Sequence, residues 1–213
     1  MKIKITLALL MLVTVLNAQN AKLENALLKN LATLRESKTT EEVQTATNGF
    51  ERIADAEKTD WLSQYYAGYS NIFVGMRQED NAKKDEYYDR ALTYINKADE
   101  LSPDNSEVYV IKSWVLGMKI GVDPMNRGRE LGPQSGMLIS KAVELNPENP
   151  RAYYMRGQSA MYTPEQFGGG KAIAVKDLET ALEKYKVFKP SSPAMPSWGE
   201  KQAQDALEKC KKM

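Results

Sequence analysis

Two stretches of this chain are near copies of one another, and they constrain the fold more than any other feature. Ala98 opens ADELSPDNSEVYVIKSW and Ala142 opens AVELNPENPRAYYMRGQ, 44 residues further on. Both carry alanine, glutamate, leucine, a polar residue, proline, an acidic residue and asparagine in register, and then a tyrosine in matching places, Tyr109 and Tyr153. A second regularity runs through more of the chain. From Phe50 to Gly68, from Ile95 to Ser113 and from Ile139 to Gly157 the distance is 18 residues each time. Self-similarity at a fixed period marks architectures in which each unit buries its apolar face against the next.

The residues around these anchors alternate small and large in a helical rhythm. Ala46, Phe50 and Ile53 form one set, followed by Ala91, Ile95 and Ala98, then Ser135, Ile139 and Ala142, then Ala174, Leu178 and Ala181. Gly68, Ser113 and Gly157 supply small residues on the intervening segments. Small side chains let two helices approach closely, and Pro103 and Pro147 stop a helix at each unit's end. This pattern resembles the tetratricopeptide repeat. The resemblance implies an all-α fold, a right-handed α-solenoid of about four antiparallel helix pairs. It is weakest at the first junction, where Lys58 replaces the usual proline and Gln64 the usual aromatic. Leu23, Leu27, Leu31 and Leu34 recur at helical spacing and supply a helix to pair with the one over 40–56.

Three divisions follow. Residues 1–18 (MKIKITLALLMLVTVLNA) have a basic start, an apolar run of about 12 residues and a small residue before Gln19, the pattern of a secretory signal peptide. That run is short for a membrane span, and no later stretch is apolar enough for one, so an exported protein, periplasmic or secreted, is expected. Residues 19–188 form the helical repeat domain. Residues 189–213 hold a linker with three prolines, KPSSPAMPS, and a C-terminal capping helix with Ala203, Ala206, Leu207 and Cys210 inward, anchored by Trp198.

Composition narrows the chemistry. With 29 basic and 28 acidic residues, the chain lacks the cationic surplus a general nucleic-acid binder needs. It has no histidine and one cysteine, which removes the usual general base near neutral pH and any cysteine-rich zinc site. Cys210 has no histidine to activate it and reads as a small buried residue. No catalytic residues, metal site or cofactor are expected.

In the tetratricopeptide family the first helix of each pair lines the concave surface. The resemblance then puts Tyr65, Tyr69 and Phe73 inward from one unit, Trp114 and Met118 from the next, and Tyr154, Gln158 and Tyr162 from the third. Aromatic anchors in a groove hold partners well because they bring large contact area with few rotors. The plainer reading is that several of them pack between helices or against the C-terminal segment. Relative to the family, the turns inside the pairs are longer by about 11, 10 and 5 residues. These read as inserted loops over 75–86, 121–134 and 163–170, which together build a rim. In the second, Arg127, Arg129, Asp123 and Glu130 are candidates to touch a partner. In the third, Gly169, Gly170 and Lys171 open a helix and are a candidate anion site, against the plainer reading of a flexible turn.

The leading expectation is a non-catalytic exported scaffold that holds a protein or peptide partner in its concave, aromatic-lined groove. The alternative is a small-ligand-binding protein or enzyme subunit whose pocket lies under the inserted loops.

Overall fold

A computed structural model describes residues 20–212; the expected signal segment lies outside the described residues. Among these the fold is all-α, with no strand. Helix α1 covers 20–36. It is followed by α2 (Thr40–Ala56), α3 (Trp61–Met76), α4 (Asn81–Leu101), α5 (Ser106–Val122), α6 (Pro124–Leu145), α7 (Pro150–Tyr162), α8 (Lys171–Val187) and α9 (Glu200–Lys212). A single 3-10 turn, Glu165–Phe167, interrupts the connection before α8. Short connections make successive helices antiparallel.

The helices start where short polar residues cap them. Thr39 and Glu42 form a reciprocal capping box at α2. Asp60, Asp80, Asn105, Asp123 and Asn149 each accept a backbone N–H at the start of α3 to α7. The repeated Pro-acidic-Asn sequence is therefore a stop followed by a start: it ends α4 or α6 and caps α5 or α7.

Pairing follows the small-residue notches. The closest packing joins α3 to α4, α5 to α6 and α7 to α8, while α5 also touches both α3 and α7. A Cβ added at Gly68 would lie 2.4 Å from Ile95 Cγ1 and 3.0 Å from the Ala91 carbonyl. One added at Gly157 would lie 2.8 Å from Leu178 and 3.1 Å from the Ala174 carbonyl. At the middle junction two serines do the same work. Ser113 Oγ donates to the Ser135 carbonyl and Ser135 Oγ to the Ser113 carbonyl, both at 3.0 Å. Ala46, Phe50, Ala91, Ile95, Ala98, Ile139, Ala142, Ala174, Leu178 and Ala181 are all buried. At the weak first junction Ala54, not Ile53, is the buried residue, and Gln64 Nε2 donates to its carbonyl at 2.7 Å.

Two of the expected inserted loops are helix instead. Over 75–86 only residues 77–80 leave the helical state, and over 121–134 only Asp123 does. The chain turns a corner there because Pro124 forces its predecessor out of the α region. Asp123 sits at φ −146°, ψ 78°, accepts the Asn126 N–H, and hands over to a proline at the first helical position. Arg127 then forks onto Asp85 with both contacts at 2.6 Å and holds its carboxyl below the usual carboxylate range. Pro133, Gly128, Gly132 and Gly136 are tolerated inside α6 because no neighbour crowds the glycines and the proline is exposed. Only 163–170 is a true loop.

Beyond α8, residues 188–199 form a non-helical strap that runs back across the first helices of the pairs before α9 packs on α8 and α7. Ala203, Ala206, Leu207 and Cys210 are its buried face.

Candidate functional site

The tyrosine-rich sequence of α3 places rings one turn apart on a single stripe. Trp61 meets Tyr65 at 6.0 Å between ring centres, Tyr65 stacks on Tyr69 at 6.2 Å, and Tyr69 meets Phe73 at 4.9 Å. The stripe continues sideways. Trp114 of α5 lies 6.0 Å from Tyr69 and 5.8 Å from Phe73. Trp198 of the strap lies 5.3 Å from Trp114 and 6.3 Å from Tyr154 of α7. Edge-on and offset rings at these separations attract one another beyond their burial, so the surface is a fixed aromatic wall spanning three helix pairs.

The wall is not an open groove throughout. Tyr65 is 0% and Tyr69 8% exposed; both belong to the core because the strap lies on them. Tyr66 Oη donates to the Ala194 carbonyl at 2.5 Å, Trp198 Nε1 to Tyr65 Oη at 2.9 Å, and Tyr185 Oη to the Trp198 carbonyl at 2.9 Å. Burial pushes the phenols of Tyr65, Tyr66, Tyr69 and Tyr185 well above the ordinary tyrosine value, and Tyr154 up to about 12. Tyr162 is exposed and turned to the capping helix, where its Oη accepts from Lys209 Nζ at 2.9 Å. What remains half-buried on this face is Phe73, Trp114, Met118, Tyr154, Gln158 and Trp198. Gly117 and Gly121 lie beside Trp114 on α5, one and two turns on, and neither has a neighbour within 4 Å of a Cβ position. The result is a partly exposed, mainly apolar patch whose rings meet edge to face.

Sequence reasoning missed the polar device under the strap. Glu107 and Arg151 occupy equivalent places, each four residues after the repeat proline. They meet: Arg151 Nε and Nη2 fork onto Glu107 at 2.7 and 2.6 Å, and Phe188 stacks 4.5 Å from the guanidinium. Arg151 is 1% exposed. A cavity of about 410 Å³ lies beside this pair, lined by Asp104, Ser106, Leu145, Lys189 and Met195 among others. It sits at the start of α5 and α7, not under 75–86 or 121–134 as the pocket reading expected.

Most of the remaining candidates are engaged within the chain. The Gly170 N–H donates to the Ala160 carbonyl at 2.9 Å, the Gly169 N–H to Pro164 at 3.2 Å, and Lys171 Nζ to the Lys211 carbonyl at 3.2 Å. That is the wiring of a turn, not an anion cradle. Arg127 is taken by Asp85, while Arg129 and Glu130 point into solvent. Lys112 and Arg156, just before their notch residues, pair with Asp99 and Asp177. No cluster of potential metal ligands occurs among the described residues.

Fold and face together define an all-α protein of stacked helical hairpins with a strapped aromatic surface. No family model matches the chain, and no curated protein does. Among solved structures it is similar to the HusA haemophore from Porphyromonas gingivalis, with a TM-score of 0.79 and 34% identity over 88% of this chain and 92% of that one. The chain belongs to the same family as HusA.

Proposed function

We propose that this chain is an exported binding protein that holds a haem-type porphyrin against the uncovered part of its aromatic face. The observation that carries the reading is the patch of Phe73, Trp114, Met118 and Tyr154, left partly exposed beside an otherwise buried wall. Its kinship to a protein named as a haemophore supports the ligand class. A planar macrocycle gains by stacking and apolar contact on such a surface. The chain has no histidine, so retention rests on the ring faces and not on an imidazole–iron bond.

This reading favours the small-ligand alternative over a polypeptide partner. The strap already occupies the part of the groove an extended peptide needs, and the aromatics left free form a short patch. The role is binding, not catalysis. The repeat units are read as tetratricopeptide-like, and export through the leader is part of the same proposal. No described helix is long and apolar enough to cross a membrane.

The test is absorbance titration of the purified chain with haem and with metal-free porphyrin. Saturable one-to-one binding of both at micromolar concentration is expected, weakened at least tenfold by Trp114→Ala combined with Met118→Ala. Absence of saturable binding in the wild type would falsify the assignment.

A further inference from the structure

The aromatic face contains one residue that no repeat supplies. Trp198 lies in the strap, outside the helix pairs, yet its ring is 5.5 Å from Tyr69, 5.3 Å from Trp114 and 6.3 Å from Tyr154. Those three belong to α3, α5 and α7, so only a residue lying over the concave side reaches all of them. The indole has one polar atom, and it is spent inward on Tyr65 Oη at 2.9 Å. What Trp198 leaves toward solvent is therefore apolar ring, continuous with the exposed edges of Trp114 and Tyr154.

The strap is built to hold that ring in place. The Trp198 carbonyl accepts from Tyr185 Oη at 2.9 Å. The next residue, Gly199, adopts φ +108°, and a Cβ there would lie 2.2 Å from the same Tyr185 oxygen. Only glycine lets the backbone press so closely on the phenol and still turn into α9. Upstream, Ala194 is 2% exposed and its carbonyl accepts from Tyr66 Oη at 2.5 Å. Anchors on both sides of the indole leave it little freedom to swing.

We propose that Trp198 is a ligand-contacting residue of the porphyrin site and that the 188–199 strap is the element that positions it. This rests on the preceding reading of the ligand class. The site is then assembled from α3, α5, α7 and a segment beyond the repeats, and its geometry is set by tyrosines that never touch the ligand.

The experiment compares haem titrations of the full chain with those of Trp198→Phe, Trp198→Ala and Tyr66→Phe, together with circular dichroism of the bound haem's Soret band at saturation. Trp198→Ala is expected to lose at least tenfold in affinity, Trp198→Phe three- to fivefold, and Tyr66→Phe no more than twofold. The Soret dichroism of Trp198→Phe is expected to change shape at full occupancy, which a merely structural role would not produce. If Trp198→Ala fails to fold, the phenylalanine variant and its dichroism decide. Wild-type affinity and dichroism in the Trp198 variants overturn this assignment and leave the porphyrin reading standing. So does an equal loss in Tyr66→Phe, which loosens the strap but keeps the indole. Failure of the wild type to bind removes both.

Discussion

The aromatic face has two halves with opposite fates. Along the first turns of α3, α5 and α7 the strap covers Tyr65, Tyr66, Glu107 and Arg151, and nearly every polar atom there has a partner inside the chain. Along the later turns Phe73, Met118, Gly121 and Gln158 stay uncovered, and nothing crowds the glycines. The difference teaches that aromatic content does not tell a site from a core. What separates them is whether another segment of the chain reaches over, and that is decided far away in sequence.

The strongest way to sharpen this contrast is pH. In the covered half burial favours the neutral phenol, so the folded pKa values of Tyr65, Tyr66, Tyr69 and Tyr185 lie above their unfolded ones. Stability is then complete below about pH 10 and falls as pH rises through the shifted range. Urea melts at stepped pH are expected to show loss of the fold between about pH 10 and 12, with ultraviolet phenolate absorbance rising in the same transition. Phenolate absorbance that grows while the helical signal stays intact would count against the covered half being dry.

Next in size is the buried pair. Arg151→Met leaves Glu107 charged and unpartnered beneath the strap and is expected to cost about 3–5 kcal/mol in denaturant unfolding. Adding Glu107→Leu should recover much of that, because the cost is the orphaned charge. A single variant as stable as wild type would show that water enters there freely.

Smaller effects separate crowded glycines from open ones. Gly68→Ala drives a methyl group against Ile95 and a backbone carbonyl and should destabilise by about 1–3 kcal/mol. Gly117→Ala meets nothing and should stabilise by roughly 1 kcal/mol through helix propensity alone. The smallest change is Tyr66→Phe, expected to cost about 1 kcal/mol for one hydrogen bond, read from thermal melts.

The repeat was legible because its signals are local. Gly68 and Gly157 announce close helix approach, and the asparagine after each repeat proline announces a cap; both rest on neighbours within a turn or on a fixed offset. Two things were not legible. The stretch around Gly128, Gly132 and Pro133 is rich in helix breakers and reads as a loop, yet the Asp123 cap, Pro124 and the Arg127–Asp85 fork hold it helical. The strap has no periodicity, and its partners stand as much as 162 residues away. Phe73, Trp114, Met118, Tyr154 and Gln158 are half-buried on the aromatic face, but Tyr65 and Tyr69 were lost to the core for that reason. The Glu107–Arg151 pair did carry a signal: two equivalent repeat positions hold opposite charges.

Helical repeat arrays touch only their nearest neighbours, so their ends fray independently of their middles. Here the segment that follows the last pair bonds back to α3 through Tyr66 and reaches α1, where Arg35 meets Ser197 at 3.5 Å. A coil spring whose two ends are tied together cannot stretch or lose a turn at one end without loosening the other. The molecule should therefore melt as a single cooperative body, and not from one end inward.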